Sequence, residues 1–227
     1  MDRLHMEDGQ HPFVLSTTHI ATLNRRASRC DHPLAKLTTI ATLVPIAAHV
    51  LTASKVRGFD RRTDVLTTAA PNGWLTSISL GQAAAAAMRA AIEGRTSGVL
   101  FEDIHGAPIA PDADAVAYVD DLLLEDGEGP LPFAWSFRSL REGVFAGMAD
   151  GGVRRDIVEA QAGLRHITDG KFSDTFLHLH ERAASDWWAA QLGVPVPATI
   201  EVIRSSLRQL RWKDGPAKRT KDRGGAA

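Results

Sequence analysis

Apolar residues recur along most of the chain at intervals of three and four, which is the spacing of one face of an α-helix. The clearest run has successive intervals of 4, 3, 4 and 4 residues: Phe133, Phe137, Leu140, Val144 and Met148. The same period continues through residues 153–167, 173–191 and 198–212. The pattern predicts amphipathic helices that pack side by side into a bundle.

The first half of the chain also favours helices. Residues 33–56 are apolar on most sides, as in a buried helix, and Pro45 is expected to kink that helix by removing a backbone donor. A short helix is predicted at 62–70 and a longer one at 74–93, which contains a run of alanines with high helix propensity. Another helix is predicted from Pro111 to about Glu125.

Three segments depart from the helical period. Residues 1–31 show no sustained period and predict an irregular N-terminal arm, and apolar flanks around His105-Gly106 predict a short hairpin near 99–109. Residues 213–227 lack apolar periodicity and predict a disordered basic tail. The expected fold class is therefore all-α, with residues 32–212 forming a single-domain bundle of seven or eight helices.

Composition supports a globular, cytoplasmic protein. Of the 227 residues, 44% are hydrophobic and 23% are charged, which is too apolar for an intrinsically disordered chain. The lone Cys30 excludes a disulfide framework and a multi-cysteine zinc site. The charged N-terminus predicts no secretion signal. The apolar segment 37–53 contains threonines, a proline and a histidine, so we expect a soluble protein with no membrane span.

Charge is distributed unevenly along the chain. Residues 96–137 contain nine acids and no lysine or arginine, whereas residues 200–227 contain eight basic residues and three acids. A basic helix that continues into a basic tail can neutralise phosphates. However, the net charge of −1 and the lack of a helix-turn-helix pattern make nucleic acid an unexpected partner. If nucleic acid binds, we expect the basic tail to bind it.

Two histidines fall within predicted apolar helix faces. His180 is surrounded on its helix by apolar positions. It is either a core histidine bonded to a carbonyl group or a functional group, as a catalytic base, metal ligand or cofactor contact. His49 shares a narrow polar stripe with Thr38, Thr42 and Thr52. This stripe predicts a cavity for a small-molecule ligand or cofactor, although threonine hydroxyls can instead bond back to the preceding turn. The two histidines are the candidate catalytic residues.

Carboxylate and imidazole groups recur on two successive predicted helices. They are the candidate metal ligands: Glu159, His166, Asp174, His178 and Glu181. Facing helices of a bundle hold iron or manganese with ligands of these types. A solvated polar face is the alternative explanation of the same pattern.

The sequence contains no dinucleotide-binding, phosphate-loop, serine-hydrolase or zinc-protease motif. Two functions stay open. The first is a small-molecule enzyme with its site inside the bundle, in its metal-dependent form an oxidoreductase of the non-heme iron or manganese oxidase type. The second is a non-catalytic regulatory or interaction protein that uses the acidic surface and the basic C-terminal tail.

Overall fold

The computed structural model describes residues 14–69, 75–103, 105–124, 127–164 and 174–196. Within these ranges the chain forms eight α-helices and three β-strands. Their bounds are α1 Thr17–Ala27, α2 Pro33–Leu43, α3 Ala48–Ala53, β1 Phe59–Asp60, β2 Val65–Ala69, β3 Leu75–Ser79, α4 Gln82–Ile92, α5 Ala113–Leu124, α6 Phe137–Asp150, α7 Arg155–Gln161 and α8 Asp174–Gln191. The fold is a mostly helical single domain, as expected, but its small three-stranded sheet means that the all-α class is wrong.

The sheet occupies residues that the sequence pattern assigned to helices. Its three strands are antiparallel in the order β1-β2-β3, and Leu66 of β2 pairs with Phe59 on one side and Ile78 on the other. Side chains in β2 and β3 alternate between more and less buried positions, as strands with one covered face require. The helix predicted at 62–70 and the first residues of the one predicted at 74–93 are therefore strands.

The long helix predicted at 33–56 is divided in two at Pro45. α2 begins with Pro33 at its first position, where the missing backbone N–H costs nothing, and the Leu34 N–H donates to His32 Nδ1. α2 ends before Pro45, and α3 begins at Ala48. The proline thus separates two helices instead of kinking one.

Part of the predicted irregular arm is helical. α1 is capped by Ser16, whose side chain accepts a hydrogen bond of 3.2 Å from the His19 N–H. Ile20 and Leu23 of α1 are fully buried. At the predicted hairpin, Glu102 and Pro108 form an isolated antiparallel bridge, and the Asp103 N–H donates to the Ala107 carbonyl at 2.9 Å.

α5, α6, α7 and α8 lie where the apolar period predicts helices. The predicted helix 198–212 and the predicted basic tail 213–227 lie outside the described residues. Among the described residues, none of the helices combines the length and the hydropathy that a membrane crossing needs.

One hydrophobic cluster joins the sheet to the helices. It includes fully buried side chains of α1, α2, the sheet, α4 and α6, and Trp188 of α8, which is 1% exposed. α2 lies at the centre, because it packs against α1, α4, α5, α6 and α8. α8 lies against both α4 and β3, and this contact brings its polar side chains to the end of the sheet.

Candidate functional site

Two of the predicted metal ligands, His178 and Glu181, meet at the end of β3. His178 Nδ1 lies 2.7 Å from Ser79 Oγ and 3.1 Å from Glu181 Oε2. The Ser79 N–H also donates to Glu181 Oε2 at 3.0 Å. Gln161 of α7 donates from Nε2 to the Ser79 carbonyl at 2.7 Å and to the Glu181 carbonyl at 3.0 Å. The four side chains form a polar cluster that joins α7 and α8 to β3.

Burial determines the protonation chemistry of this cluster. Removal from water raises the pKa of Glu181, and the hydrogen bonds from Ser79 and His178 only partly oppose the rise. Glu181 Oε1 and Gln161 Oε1 are buried without a hydrogen-bond partner among the described residues. Ser79 is itself fully buried, so its hydroxyl is closed to a substrate. The cluster therefore supports the fold by fastening α8 to the sheet.

Among the predicted metal ligands that the structure describes, Glu159 does not join His178 and Glu181 in a group placed to hold a metal ion. Glu159 is bonded to Arg155 on its own helix at 2.6 Å. His166 lies outside the described residues, as does the side chain of Asp174. In the described part of the chain, no group of three or more histidine, cysteine, aspartate or glutamate side chains is placed to hold a metal ion. The complete ligand set stays a prediction.

The two candidate catalytic histidines have different surroundings. His49 is exposed on α3. His180 is partly buried, and burial lowers its pKa, as does the positive charge of Arg154, while Asp156 has the opposite effect. The buried face of α8 contains the charged Glu181 in addition to apolar residues. A catalytic role for either histidine stays a prediction.

The threonine stripe of α2 and α3 is bonded to backbone carbonyls. Thr38 donates to the Leu34 carbonyl at 2.8 Å, Thr42 to Thr39 at 2.6 Å, and Thr52 to His49 at 3.3 Å. Surface cavities of about 350 and 250 Å³ lie near Lys36, and their linings do not include Thr38, Thr42 or Thr52. The threonine hydroxyls therefore bond back to the preceding turn, which is the explanation that needs no ligand. The role of the stripe as a cofactor site stays a prediction.

Arg141 of α6 is a functional candidate that the sequence reasoning missed. Its Nε donates to the Pro45 carbonyl, between α2 and α3, at 3.0 Å. The side chain is half-buried, and burial lowers its pKa. Glu142 offers a compensating charge but is bonded to Arg138 at 3.0 Å. No ion pair joins Arg141 to a carboxylate of the described residues.

A partly desolvated guanidinium group with no bound carboxylate is suited to an anionic ligand. The sequence carried one signal for it, since Arg141 lies four residues after Phe137 and three before Val144, within the apolar stripe of its helix. An arginine at such a position must find a polar partner at the edge of the core.

Comparison with known proteins finds a similarity of fold. No family model matches the chain, and no curated protein matches it. The crystal structure of XerA recombinase is similar, with a TM-score of 0.53 and 13% sequence identity over 92% of this chain and 67% of the recombinase chain. The expectation of an iron or manganese oxidase, and of an oxidoreductase in general, is wrong: the chain has a fold similar to that of a recombinase.

Proposed function

We propose that this chain is a DNA-binding protein that contacts the sugar-phosphate backbone of duplex DNA. The observation that carries the proposal is the similarity of fold to XerA recombinase over 92% of the chain. A recombinase acts on DNA, and every protein that does so must bind a backbone with a high density of phosphate charge. The fold thus favours DNA as a partner, although the charge pattern of the sequence alone made nucleic acid unexpected.

Arg141 is the residue that we assign to phosphate binding. The Pro45 carbonyl fixes its Nε, which leaves the two terminal nitrogens of the guanidinium group for a phosphate. A guanidinium group binds phosphate through two parallel hydrogen bonds. Partial burial strengthens that interaction, because the surrounding dielectric constant is lower than that of water.

The test is the binding of the full chain to a fluorescently labelled duplex of mixed sequence, measured by anisotropy at several salt concentrations. We expect binding at low salt, with an affinity that falls linearly on a log-log plot against salt. Arg141→Gln should weaken binding about tenfold, equivalent to about 1.4 kcal/mol, and lower the salt slope by about 1.

Arg155→Gln is the matched control. Arg155 is 86% exposed and already paired with Glu159, so its loss should leave the affinity within about twofold of the original. Far-UV circular dichroism of both variants checks that they are folded. A folded original protein that does not bind duplex DNA at low salt contradicts the proposed function.

A further inference from the structure

We infer that residues 55–62, here called the basic turn, form a second phosphate-binding surface for the DNA backbone. The inference rests on the proposed function and names a surface that the fold similarity does not identify. The basic turn has the sequence KVRGFDRR and contains four cationic side chains and one carboxylate. It connects α3 to β2 and includes β1.

The single carboxylate of the basic turn is used to shape its backbone. Asp60 accepts hydrogen bonds from the Arg62 N–H at 2.9 Å and from the Thr63 hydroxyl at 2.7 Å. These bonds, that of the Thr63 hydroxyl above all, lower the pKa of Asp60. Within the described ranges no ion pair links Asp60 to the arginines of the turn, and the turn has a net charge of about +3 at neutral pH.

The backbone of the basic turn is held in place on both sides. The Val56 N–H donates to the Gly98 carbonyl at 3.0 Å, and the Leu100 N–H donates to the Ser54 carbonyl at 2.8 Å. Gly58 lies so close to β2 that an added Cβ would be 2.5 Å from the Thr67 carbonyl oxygen. A fixed backbone loses little conformational entropy on binding, which lowers the cost of binding. It also holds the cationic side chains at a constant spacing, which suits a ligand with regularly spaced charges.

The cationic side chains of the basic turn are not neutralised by carboxylates of the described residues. Arg61 donates to the Arg95 carbonyl at 2.6 Å and Arg57 to the Thr96 carbonyl at 3.4 Å, so both are oriented without an opposing charge. Lys55 and Arg62 are exposed, and their side chains form no hydrogen bond or ion pair within the described part of the chain.

Arg25 and Arg29 show the opposite situation. Both bind Glu128, which holds the pKa of that carboxyl at about 2. One carboxylate offsets one of these two positive charges, so this group keeps a net charge of about +1, against about +3 for the basic turn.

The position of the basic turn suits an extended polyanion. Arg141 is bonded to the protein backbone at Pro45, just before α3, and Lys55 follows just after that helix. α3 has six residues, which corresponds to about 9 Å at about 1.5 Å per residue. One DNA strand carries a phosphate per about 3.4 Å of axis, so a helix of this length extends past two or three phosphates. Arg141 and the basic turn can then contact one backbone together.

The test compares two double variants in the anisotropy assay: Lys55→Gln with Arg62→Gln, and Arg25→Gln with Arg29→Gln. Each removes two positive charges, so the change in net charge is matched. We expect the first to weaken duplex binding at least fivefold and to lower the salt slope by about 2. The second should lower the slope by at most about 1, because Glu128 already offsets one of its two positive charges. Far-UV circular dichroism and the melting temperature confirm folding of both.

The outcomes separate the inference from the proposed function. If the original protein binds no duplex DNA, the proposed function fails, and the inference fails with it. If the original protein binds and the Lys55–Arg62 variant keeps both affinity and slope, the inference alone is overturned. Equal losses in both double variants also overturn it, because they indicate a dependence on net charge instead of a defined surface.

Discussion

At the scale of single residues, two carboxylates of α8 cap the backbone where β3 leads into α4. Glu181 accepts the Ser79 N–H at 3.0 Å, and Asp186 accepts the N–H of Gln82, the first residue of α4, at 2.6 Å. The first N–H groups of a helix lack partners within it and favour negative charge. Gly81, which lies between Ser79 and Gln82 in the sequence, has no room for a side chain, because an added Cβ would lie 2.6 Å from Asp186 Oδ1. Side chains from a distant helix thus complete this junction.

The raised pKa of Glu181 gives a pH dependence with a definite sign. Its contribution to stability is complete below the pKa of the unfolded chain, and it is lost as the pH rises through the higher pKa of the folded state. Glu181→Gln removes this titration and keeps an oxygen for the Ser79 N–H. We therefore expect the unfolding free energy of the variant, relative to the original protein, to increase between pH 5 and pH 8.

Urea denaturation followed by circular dichroism at several pH values measures this difference. Asp120 and Asp186 also have pKa values raised by burial, but both are present in the two proteins and cancel in the comparison. A difference that is constant from pH 5 to pH 8 would show that Glu181 does not titrate in that range.

At the scale of secondary-structure elements, the sequence predicts surface helices well and the sheet poorly. An amphipathic helix with one covered side shows its period directly, and α6 follows the apolar stripe from Phe137 to Met148. The strands β2 and β3 have only five residues each. In such short segments an alternating pattern is weak, and the alanine run after Gln82 extended the helix prediction back into β3.

The candidate site shows a related limit. The spacing of His178 and Glu181 placed them on one side of α8, as observed, but Ser79 lies about 100 residues earlier and enters only through the packing of α8 on β3. The buried side of α8 includes Glu181 and Asp186 because the β3–α4 junction supplies their partners. An apolar stripe cannot reveal such a polar interface.

The contact between α6 and α8 depends on a glycine. A Cβ added to Gly147 would lie 2.6 Å from two ring atoms of Trp188, which is 1% exposed. Gly147→Ala gains about 1 kcal/mol of helix propensity but forces this ring to move, at a cost of roughly 1–3 kcal/mol. We expect net destabilisation, measured by chemical denaturation.

Trp188→Phe provides the background that isolates the clash. Its smaller ring relieves the contact with the methyl group that Gly147→Ala adds, although the bond from Trp188 Nε1 to the Thr42 carbonyl is lost in both members of the pair. Gly147→Ala should therefore be less destabilising in the Trp188→Phe background, and a double-mutant cycle measures the coupling. Equal effects in the two backgrounds would place the cost elsewhere.

At the scale of the whole molecule, the central position of α2 leads us to expect that the fold unfolds as one cooperative unit. Nine of its eleven residues are buried, and α2 packs against α1, α4, α5, α6 and α8. The same hydrophobic cluster reaches the sheet through Leu66 and Ile78. The segments that carry Arg141 and the basic turn are anchored to this core, so the spacing of the two proposed phosphate contacts depends on its integrity.

Leu37→Ala tests this unity. Leu37 lies in α2 and is fully buried, so its truncation should lower the unfolding free energy by about 2–5 kcal/mol. Tryptophan fluorescence and far-UV circular dichroism should shift together, because one transition disrupts the helices and the core. The control is Leu75→Ala in β3, where the side chain is 65% exposed, with an expected change within about 0.5 kcal/mol. Separate transitions by the two probes would mean that the protein does not unfold as one unit.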